Sequence, residues 1–187
     1  PITSLIITSN NKCLISASAD NTIKIWNLDS FECEKTLNHP NLFKNGNLAQ
    51  YQQYNPILLV QNEEILVSTS TLTHEIYLWD MKTLEYIKSL KGHATHINCL
   101  ELINENRLVS AGNDGKIFLW DLDNCLFLKS IFGHSVSINA ILRYCNKNDQ
   151  VITGGGDNLI KIWDLNTNDC KNVLRGHQYS VNALVLD

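Results

Sequence analysis

Four tryptophans in this 187-residue chain each close a similar hydrophobic phrase, and this repetition constrains the fold more than any other feature. The phrases are TIKIWNL, EIYLWDM, KIFLWDL and IKIWDL, and they contain Trp26, Trp79, Trp120 and Trp163. The tryptophans are 53, 41 and 43 residues apart, and CLISASAD, RLVSAGND or VITGGGD precedes three of them. After the last three, a second hydrophobic segment ends in KGH, FGH or RGH. A regular period of this length indicates repeated structural units.

Each repeat contains short runs rich in Ile, Val, Leu and aromatic residues, separated by Asp, Asn and Gly. In the third repeat this pattern predicts strands near 96–102, 107–111, 116–121 and 126–131. The NDG sequence between the second and third strands favours a tight hairpin, because Asn and Gly tolerate positive φ. No segment keeps a helical apolar period over three turns, so we expect an all-β chain of four-stranded antiparallel units.

These phrases resemble the repeats of the WD-repeat family of β-propellers, and the resemblance covers nearly the whole chain. The Gly-His element, the Asp turn and the Trp-Asp ending form a specific combination at this period. The resemblance implies a β-propeller of four-stranded antiparallel blades, present as a partial ring. We place the blades near 1–37, 57–90, 96–131 and 137–174, and the first strand of a next blade at 180–187.

Both ends of the chain match the inner strand of a blade, since ITSLIIT at the start aligns with VNALVLD at the end. Propellers of this family mostly close with roughly seven or eight blades. An open array would expose the apolar faces of its terminal blades. We therefore expect further chain, or another subunit, to complete the ring.

In this family each blade holds a buried set of a histidine, a hydroxyl side chain, an aspartate and a tryptophan. By position the resemblance assigns to these sets Ser16, Asp20, Trp26, Ser68, Trp79, His93, Ser110, Asp114, Trp120, His134, Thr153, Asp157, Trp163 and His177. A serine, a histidine and an aspartate could also form a hydrolytic triad, but this pattern recurs and a catalytic site has no reason to recur. We interpret the sets as structural, because their members can satisfy one another's buried polar groups.

The second repeat departs from the pattern twice. Counting from Leu37 places His39 and Pro40 at the Gly-His positions, and proline has no imidazole. In STSTLTHEIYLWD, Thr and His stand where the turn aspartate belongs. We therefore expect a blade with a distorted turn, no histidine in its polar set, and little effect of His39→Ala. In contrast, we expect Asp114→Ala to lower the melting temperature.

The second repeat also carries an insertion at 40–56, on the loop between the outer strand of one blade and the inner strand of the next. Phe43, Tyr51 and Tyr54 lie on a segment otherwise rich in Asn and Gln. The insertion is either a surface loop without a role or a loop that grips a partner through its aromatic side chains.

The resemblance also implies partner-contact positions three and five residues after the Gly-His histidine, and just before the turn aspartate. These positions hold Ala19, His96, Asn98, Asn113, Ser137, Asn139, Gly156, Ser180 and Asn182. The asparagines could form a hydrogen-bonding ring for a partner, or they could satisfy neighbouring loops. Both interpretations remain open from the sequence.

Composition and charge bear on the kinds of partner and site that the chain can have. The net charge of −4, with 15 basic and 19 acidic residues, argues against a nucleic-acid partner, and the apolar runs are too short to cross a bilayer. None of the six cysteines forms a Cys-x-x-Cys pair, so we expect no metal or cofactor and reduced thiols in an intracellular, cytoplasmic protein.

We expect a non-enzymatic scaffold that binds proteins or peptide motifs within a multiprotein complex. The alternative is a propeller within a larger enzyme or ubiquitin-ligase adaptor whose chemistry lies outside this segment. Fold alone does not decide between them.

Overall fold

The computed structural model describes residues 1–40, 56–144 and 149–186, which contain sixteen β-strands. The strands form four antiparallel four-stranded sheets, numbered here as blades 1 to 4, and the described ranges contain no helix. The prediction of an all-β chain of four-stranded units is confirmed. The chain divides into two compact units, Pro1–Gly92 and His93–Asp187.

The first unit holds blades 1 and 2, and each sheet keeps the order of its strands along the chain. Blade 1 consists of β1 (Ile2–Ile7), β2 (Cys13–Ser18), β3 (Thr22–Asn27) and β4 (Cys33–Asn38). Blade 2 consists of β5 (Ile57–Val60), β6 (Ile65–Thr69), β7 (Ile76–Asp80) and β8 (Glu85–Leu90). Among the described residues, the fourth strand of each blade pairs with a neighbouring strand on one side only.

The second unit holds blades 3 and 4, with the same sequential strand order. Blade 3 consists of β9 (Ile97–Asn104), β10 (Arg107–Gly112), β11 (Lys116–Asp121) and β12 (Leu126–Phe132). Blade 4 consists of β13 (Ile138–Arg143), β14 (Gln150–Gly155), β15 (Ile160–Asp164) and β16 (Asp169–Leu174). Residues 180–186, where we predict the first strand of a next blade, have no assigned strand.

Much of the core lies on the middle strands, and in blades 2 and 3 these strands are buried on both faces. In the first unit, Ile15, Ile25 and Leu66 belong to one buried cluster. In the second unit, Val109, Ile117 and other aliphatic residues of blade 3 pack with Val151 and Trp163 of blade 4. Continuous apolar runs such as KIFLW, rather than strict alternation, are the sequence signal of such two-sided burial.

Two local irregularities recur in the blades. Asparagines take positive φ in several turns, among them Asn21, Asn158 and Asn168, which is the conformation that Asn tolerates better than most residues. The pairing of the third and fourth strands shifts by one residue beside each tryptophan. This bulge leaves one extra residue in every outer strand, which is Leu128 in blade 3.

Candidate functional site

A chain of hydrogen bonds crosses blade 4 from its tryptophan to its aspartate. The indole Nε1 of Trp163 lies 2.9 Å from the Oγ1 of Thr153, which lies 2.7 Å from the Nε2 of His134. The Nδ1 of His134 lies 2.6 Å from Asp157 Oδ1. Gly155 leaves the space for the ring, since a Cβ there would come within 2.2 Å of the same Nδ1. The structure thus brings the four predicted residues of this blade together.

Blade 3 repeats the arrangement with a serine. Trp120 Nε1 lies 2.8 Å from Ser110 Oγ, and Ser110 Oγ lies 2.7 Å from His93 Nε2. Asp114 Oδ2 lies 3.4 Å from His93 Nδ1, a longer contact than its counterpart in blade 4. The ring of Phe118 packs on the imidazole with centroids 3.9 Å apart.

The chemistry of these chains fixes the direction of every hydrogen bond. An indole N–H can only donate, so it donates to the hydroxyl oxygen. An ionised carboxylate can only accept, so the imidazole proton sits on Nδ1 and is donated to it, and Nε2 of the neutral ring accepts the hydroxyl proton. Ser110 and Thr153 are both fully buried. A hydroxyl that is buried and already paired on both sides cannot reach a substrate, so these chains stabilise the blades.

The electrostatics of the two chains agree with this assignment. Burial raises the pKa of Asp114 and of Asp157, but the hydrogen bond from the histidine outweighs it with other local contacts, and both pKa values lie below the ordinary range. Burial lowers the pKa of His134, although Asp157 opposes the shift. In blade 4 a neutral imidazole therefore donates to an ionised carboxylate, in agreement with the hydrogen-bond directions.

Blade 1 and the end of the chain hold smaller parts of the predicted sets. Trp26 Nε1 donates to Ser16 Oγ at 2.9 Å. Asp20 is exposed and instead accepts hydrogen bonds from the backbone and side chain of Thr22 at 2.9 and 2.6 Å. His177 is also exposed, and the structure does not bring it to a hydroxyl partner of the kind seen in blades 3 and 4.

The expectation that blade 2 has no histidine in its polar set is wrong. His39 is buried, and its Nε2 lies 3.1 Å from Ser68 Oγ, which accepts from Trp79 Nε1 at 2.9 Å. The Nδ1 of His39 lies 3.3 Å from the backbone carbonyl oxygen of Asn21. A backbone carbonyl thus takes the place of the missing aspartate. The segment from Leu37 to the histidine is one residue shorter than in the third repeat, but the imidazole still reaches the serine.

The missing carboxylate changes the acid–base properties of this histidine. Burial lowers the pKa of His39 to about 4, and the carbonyl of Asn21 offsets only part of the effect. The ring packs on Tyr77 with centroids 4.6 Å apart, so its surroundings are largely apolar. His39 is therefore neutral at physiological pH and acts as a structural link, as its counterparts do.

The predicted contact positions of blade 3 lie next to one another. The backbone N–H of Asn113 donates to the carbonyl of His96 at 2.9 Å. The side-chain amide of Asn98 donates to Asn113 Oδ1 at 2.8 Å and to the carbonyl of Ile138 at 3.0 Å. Asn113 is exposed, and His96 and Asn98 are half-buried.

The corresponding positions of blade 4 follow the same plan. The backbone N–H of Gly156 donates to the carbonyl of Ser137 at 2.8 Å, and Asn139 Nδ2 donates to Asn182 Oδ1 at 3.0 Å. Ser180 and Asn182 are exposed. Two of the asparagines therefore satisfy neighbouring loops, which was one of the two interpretations that the sequence left open. Whether any of these residues contacts a partner stays a prediction.

Two exposed residues on the same loops were not among the contact positions predicted from the sequence. Val136 and Tyr179, each two positions after a Gly-His histidine, are 52% and 83% exposed. An apolar residue at the same loop position in both repeats was the signal that could have found them. Of the other predicted contacts, Phe43, Tyr51 and Tyr54 lie outside the described residues.

The described residues hold neither a cluster of metal ligands nor a long apolar helix. Within them, no group of three or more His, Cys, Asp or Glu side chains lies close enough together to hold a metal ion. No helix in the same ranges is long and apolar enough to cross a membrane.

Four-stranded antiparallel blades with a buried histidine–hydroxyl–tryptophan chain define a class of β-propeller domains. The model of the family described as WD domain, G-beta repeat matches residues 1–27, 84–121 and 125–164. These segments make up more than half of the sequence, so the chain belongs to the WD40-repeat family. The core of blade 2 lies outside the matched segments, in keeping with its missing aspartate. WD40 propeller domains are generally non-catalytic modules that bind other proteins.

Two proteins of related sequence match this chain over only part of their length. Over 108 residues, 57% of this chain, the sequence is 28% identical to a putative BTB/POZ domain and WD-repeat protein of Acanthamoeba polyphaga mimivirus, and this match spans 19% of the viral protein. It is also 28% identical over 115 residues to mitochondrial division protein 1 of Eremothecium gossypii, covering 56% of this chain and 16% of that protein. The matches thus span less than a fifth of either relative.

Solved structures share the fold over nearly the whole chain. The structure of U3-55K superimposes with a TM-score of 0.79 at 19% identity, covering 97% of this chain and 54% of that one. The crystal structure of the RRP9 WD40 repeats gives the same TM-score and identity, and 53% of its chain is covered. This likeness shows the propeller fold alone, and this chain spans about half of either structure.

Proposed function

We propose that this chain is a non-enzymatic scaffold that binds other proteins or peptide motifs within a multiprotein complex. The observation that carries the proposal is the uncharged, exposed loop surface of the second unit. It comprises the exposed residues Asn113, Val136, Tyr179, Ser180 and Asn182, with the half-buried Ser137 and Asn139 beside them.

The nearest acids, Asp114 and Asp157, are ionised, but their side chains are only 12% and 10% exposed, so they add little charge to this surface. Asp114 and Asp157 are each held by a histidine, and each also accepts a backbone N–H of its own turn. Lys116 lies over the ring of Phe132, 4.9 Å from its centroid. What remains is a set of amide and hydroxyl groups around two apolar side chains. Such a surface suits a partner of neutral chemistry, with an aromatic or aliphatic anchor contributed by Tyr179 and Val136.

A site-specific photo-crosslinking experiment tests this proposal in living cells. A photoreactive phenylalanine analogue replaces Tyr179 in the intact protein, and the same analogue replaces Phe31 in a control. Phe31 is 81% exposed, nearly the same as Tyr179, but it lies in the turn between β3 and β4. We expect a discrete crosslinked protein from position 179 and none from position 31.

The double variant Val136→Glu and Tyr179→Glu should remove the same crosslinked protein when the analogue is placed at the exposed Ser180. Equal crosslinking from positions 31 and 179, or no crosslinked protein from either, would contradict the proposal. The proposal also places the protein inside the cell, in keeping with the five free thiols of the described region, and a fluorescent fusion would test that location.

A further inference from the structure

The asparagines on the loop surface of the second unit form two hydrogen-bonded pairs. Asn98 Nδ2 donates to Asn113 Oδ1 at 2.8 Å, and Asn139 Nδ2 donates to Asn182 Oδ1 at 3.0 Å. Asn98 Nδ2 also donates to the backbone carbonyl of Ile138 at 3.0 Å. A carbonyl oxygen can only accept, so the orientation of the Asn98 amide is fixed, and with it the end of Asn113 that faces this amide.

Each pair leaves one acceptor and one donor group unused. A side-chain amide has an oxygen that accepts and an NH₂ group that donates twice. Within the part of the chain that the structure describes, neither Asn98 Oδ1 nor Asn113 Nδ2 has a hydrogen-bond partner, and the same holds for Asn139 Oδ1 and Asn182 Nδ2. Both unpaired oxygens reach solvent, and the residues that carry the unpaired NH₂ groups are exposed.

The spacing of these unused groups matches the backbone of an extended chain. The bond lengths of an amide place its oxygen and nitrogen close together, so the unpaired oxygen and NH₂ group of one pair lie within roughly 7 Å of each other. One residue of an extended segment presents its N–H and its C=O on the same side, as in the hydrogen-bonded pairs of an antiparallel sheet. Carboxylates only accept and ammonium groups only donate, so a charged side chain does not satisfy such a pair.

Folded partners do not offer these groups, since the backbone N–H and C=O groups of helices and inner strands are already paired. The lysines beyond the two turns are also engaged. Lys116 lies over the ring of Phe132, and Lys161 donates to the carbonyl of Gly133 at 2.8 Å. Neither ammonium group is turned outwards to hold a phosphate, which favours a peptide over a nucleic-acid strand.

Apolar side chains stand beside the amide pairs. Val136 is packed between two turns: a Cβ on Gly115 would come within 2.6 Å of its carbonyl oxygen, and a Cβ on Gly156 within 3.3 Å of its Cγ1. Val136 and Tyr179 are nevertheless 52% and 83% exposed. In an extended segment alternate side chains point to the same face, so every second side chain of a bound peptide can contact these two residues.

We propose that the loop surface of the second unit binds an extended segment of its partner through that segment's backbone. Each asparagine pair holds the N–H and C=O of one residue, while apolar side chains of the segment pack on Val136 and Tyr179. The inference rests on the proposed function and specifies the partner: an uncharged stretch of chain whose backbone is unpaired before binding.

A phage-displayed library of random linear peptides, selected on the intact protein, supplies the probe. We expect the selected peptides to be rich in aliphatic and aromatic residues and poor in charged ones. In a synthetic copy of one such peptide, each backbone nitrogen is methylated in turn. Methylation removes one N–H donor, so at one or two positions it should weaken binding by about tenfold. Replacing the polar side chains of the peptide by alanine should have little effect.

Two substitutions in the protein remove the unused donors and keep the pairs. Asn113→Asp and Asn182→Asp retain the oxygen that accepts the internal hydrogen bond and lose the NH₂ group. Each should weaken peptide binding by about tenfold while the melting temperature stays within a few degrees of the wild type. Gln178→Glu is the matched control, because it adds the same charge at an exposed position beside Tyr179 and alters neither pair. It should leave the affinity unchanged.

Equal weakening by Gln178→Glu and by the asparagine variants would reduce the effect to charge and overturn the inference. Sensitivity to an Asn or Gln side chain of the peptide, with none to methylation, would overturn it too, as would binding of a single-stranded oligoadenylate where no peptide binds. If no peptide is selected but the crosslink from position 179 persists, this inference fails and the proposed function stands. Absence of both removes both.

Discussion

Acidification is expected to destabilise the first unit through His39, before any carboxylate of the hydrogen-bonded chains titrates. Burial holds the pKa of this imidazole at about 4, against an ordinary value of 6.5. As the pH falls below 6.5, the unfolded chain takes up a proton at this site and the folded chain does not. The free energy of unfolding therefore decreases from pH 6.5 downwards and stops decreasing near pH 4.

The magnitude follows from the size of the shift. Each pKa unit corresponds to about 1.4 kcal/mol, so the loss between pH 7.5 and 4.5 is about 2–3 kcal/mol for this one group. His39 is only 3% exposed, so solvent screening does not reduce this figure much. The pKa values of Asp114 and Asp157 lie below 3.8, and their contribution is lost only at lower pH.

Denaturant unfolding at a series of pH values, followed by tryptophan fluorescence, measures this loss in the wild type and in His39→Gln. At pH 7.5 the variant should be less stable by about 1–3 kcal/mol, because the buried hydroxyl of Ser68 and the carbonyl of Asn21 lose a partner. Between pH 7.5 and 4.5 it should lose about 2–3 kcal/mol less than the wild type. His177→Gln is the control and should keep the wild-type slope, since that imidazole is exposed.

The same slope in the wild type and in His39→Gln would refute the reasoning, because it would mean that His39 has the same protonation in both states. A variant as stable as the wild type at pH 7.5 would instead show that the contact with Ser68 contributes nothing. Only the second result would restore the expectation from the sequence that replacing His39 does little.

Three further predictions concern the second unit. Asp114→Ala leaves the buried N–H of an imidazole unpaired, so it should lower the free energy of unfolding by about 1–3 kcal/mol. Asp123→Ala, at an exposed position, should change the free energy of unfolding little, and thermal unfolding compares the two variants. Ser110→Ala should lower the free energy of unfolding by a similar amount. Ser110→Thr should lower it much less, because Thr153 accepts the indole N–H in blade 4 as Ser110 does in blade 3. A larger loss of stability in the threonine variant than in the alanine variant would contradict this. Gly155→Ala should destabilise the protein by about 1–3 kcal/mol, because the new Cβ would overlap the imidazole of His134. Gly176→Ala should be neutral, because no atom lies within 4 Å of the Cβ it would add. Equal melting temperatures of the two variants would count against the close packing at Gly155.

The strands were predictable because each blade repeats a local pattern that reports its own burial. The predicted strand at 116–121 has the bounds of β11 (Lys116–Asp121), and the predicted strand near 107–111 is β10 without its last residue. Chains of hydrogen bonds in blades 3 and 4 follow from the same pattern, since the tryptophan and the hydroxyl residue are ten residues apart in each. Repetition made both the fold and the chain members visible in the sequence.

The place of His39 was not predictable by counting. The Gly-His segment before blade 2 is one residue shorter, and only three-dimensional geometry shows that the imidazole still arrives at Ser68. Its second partner is a backbone carbonyl at Asn21, where φ is +62°. A backbone group leaves no trace in the residue types of a sequence. The partner of a buried side chain can be read from the sequence only when that partner is also a side chain.

The hydrogen bond between His39 and Ser68 also has a consequence for how this protein can change during evolution. It ties the chain to blade 2 before position 41, and Ile57 is buried where the chain enters β5 after position 55. Both ends of the intervening stretch are thus fixed within one compact unit. Doubling the length of a stretch with fixed ends costs only about 0.6 kcal/mol in closure entropy. New sequence can therefore be acquired at this point with little effect on the blades, which makes it a natural site for inserting a peptide or a small domain.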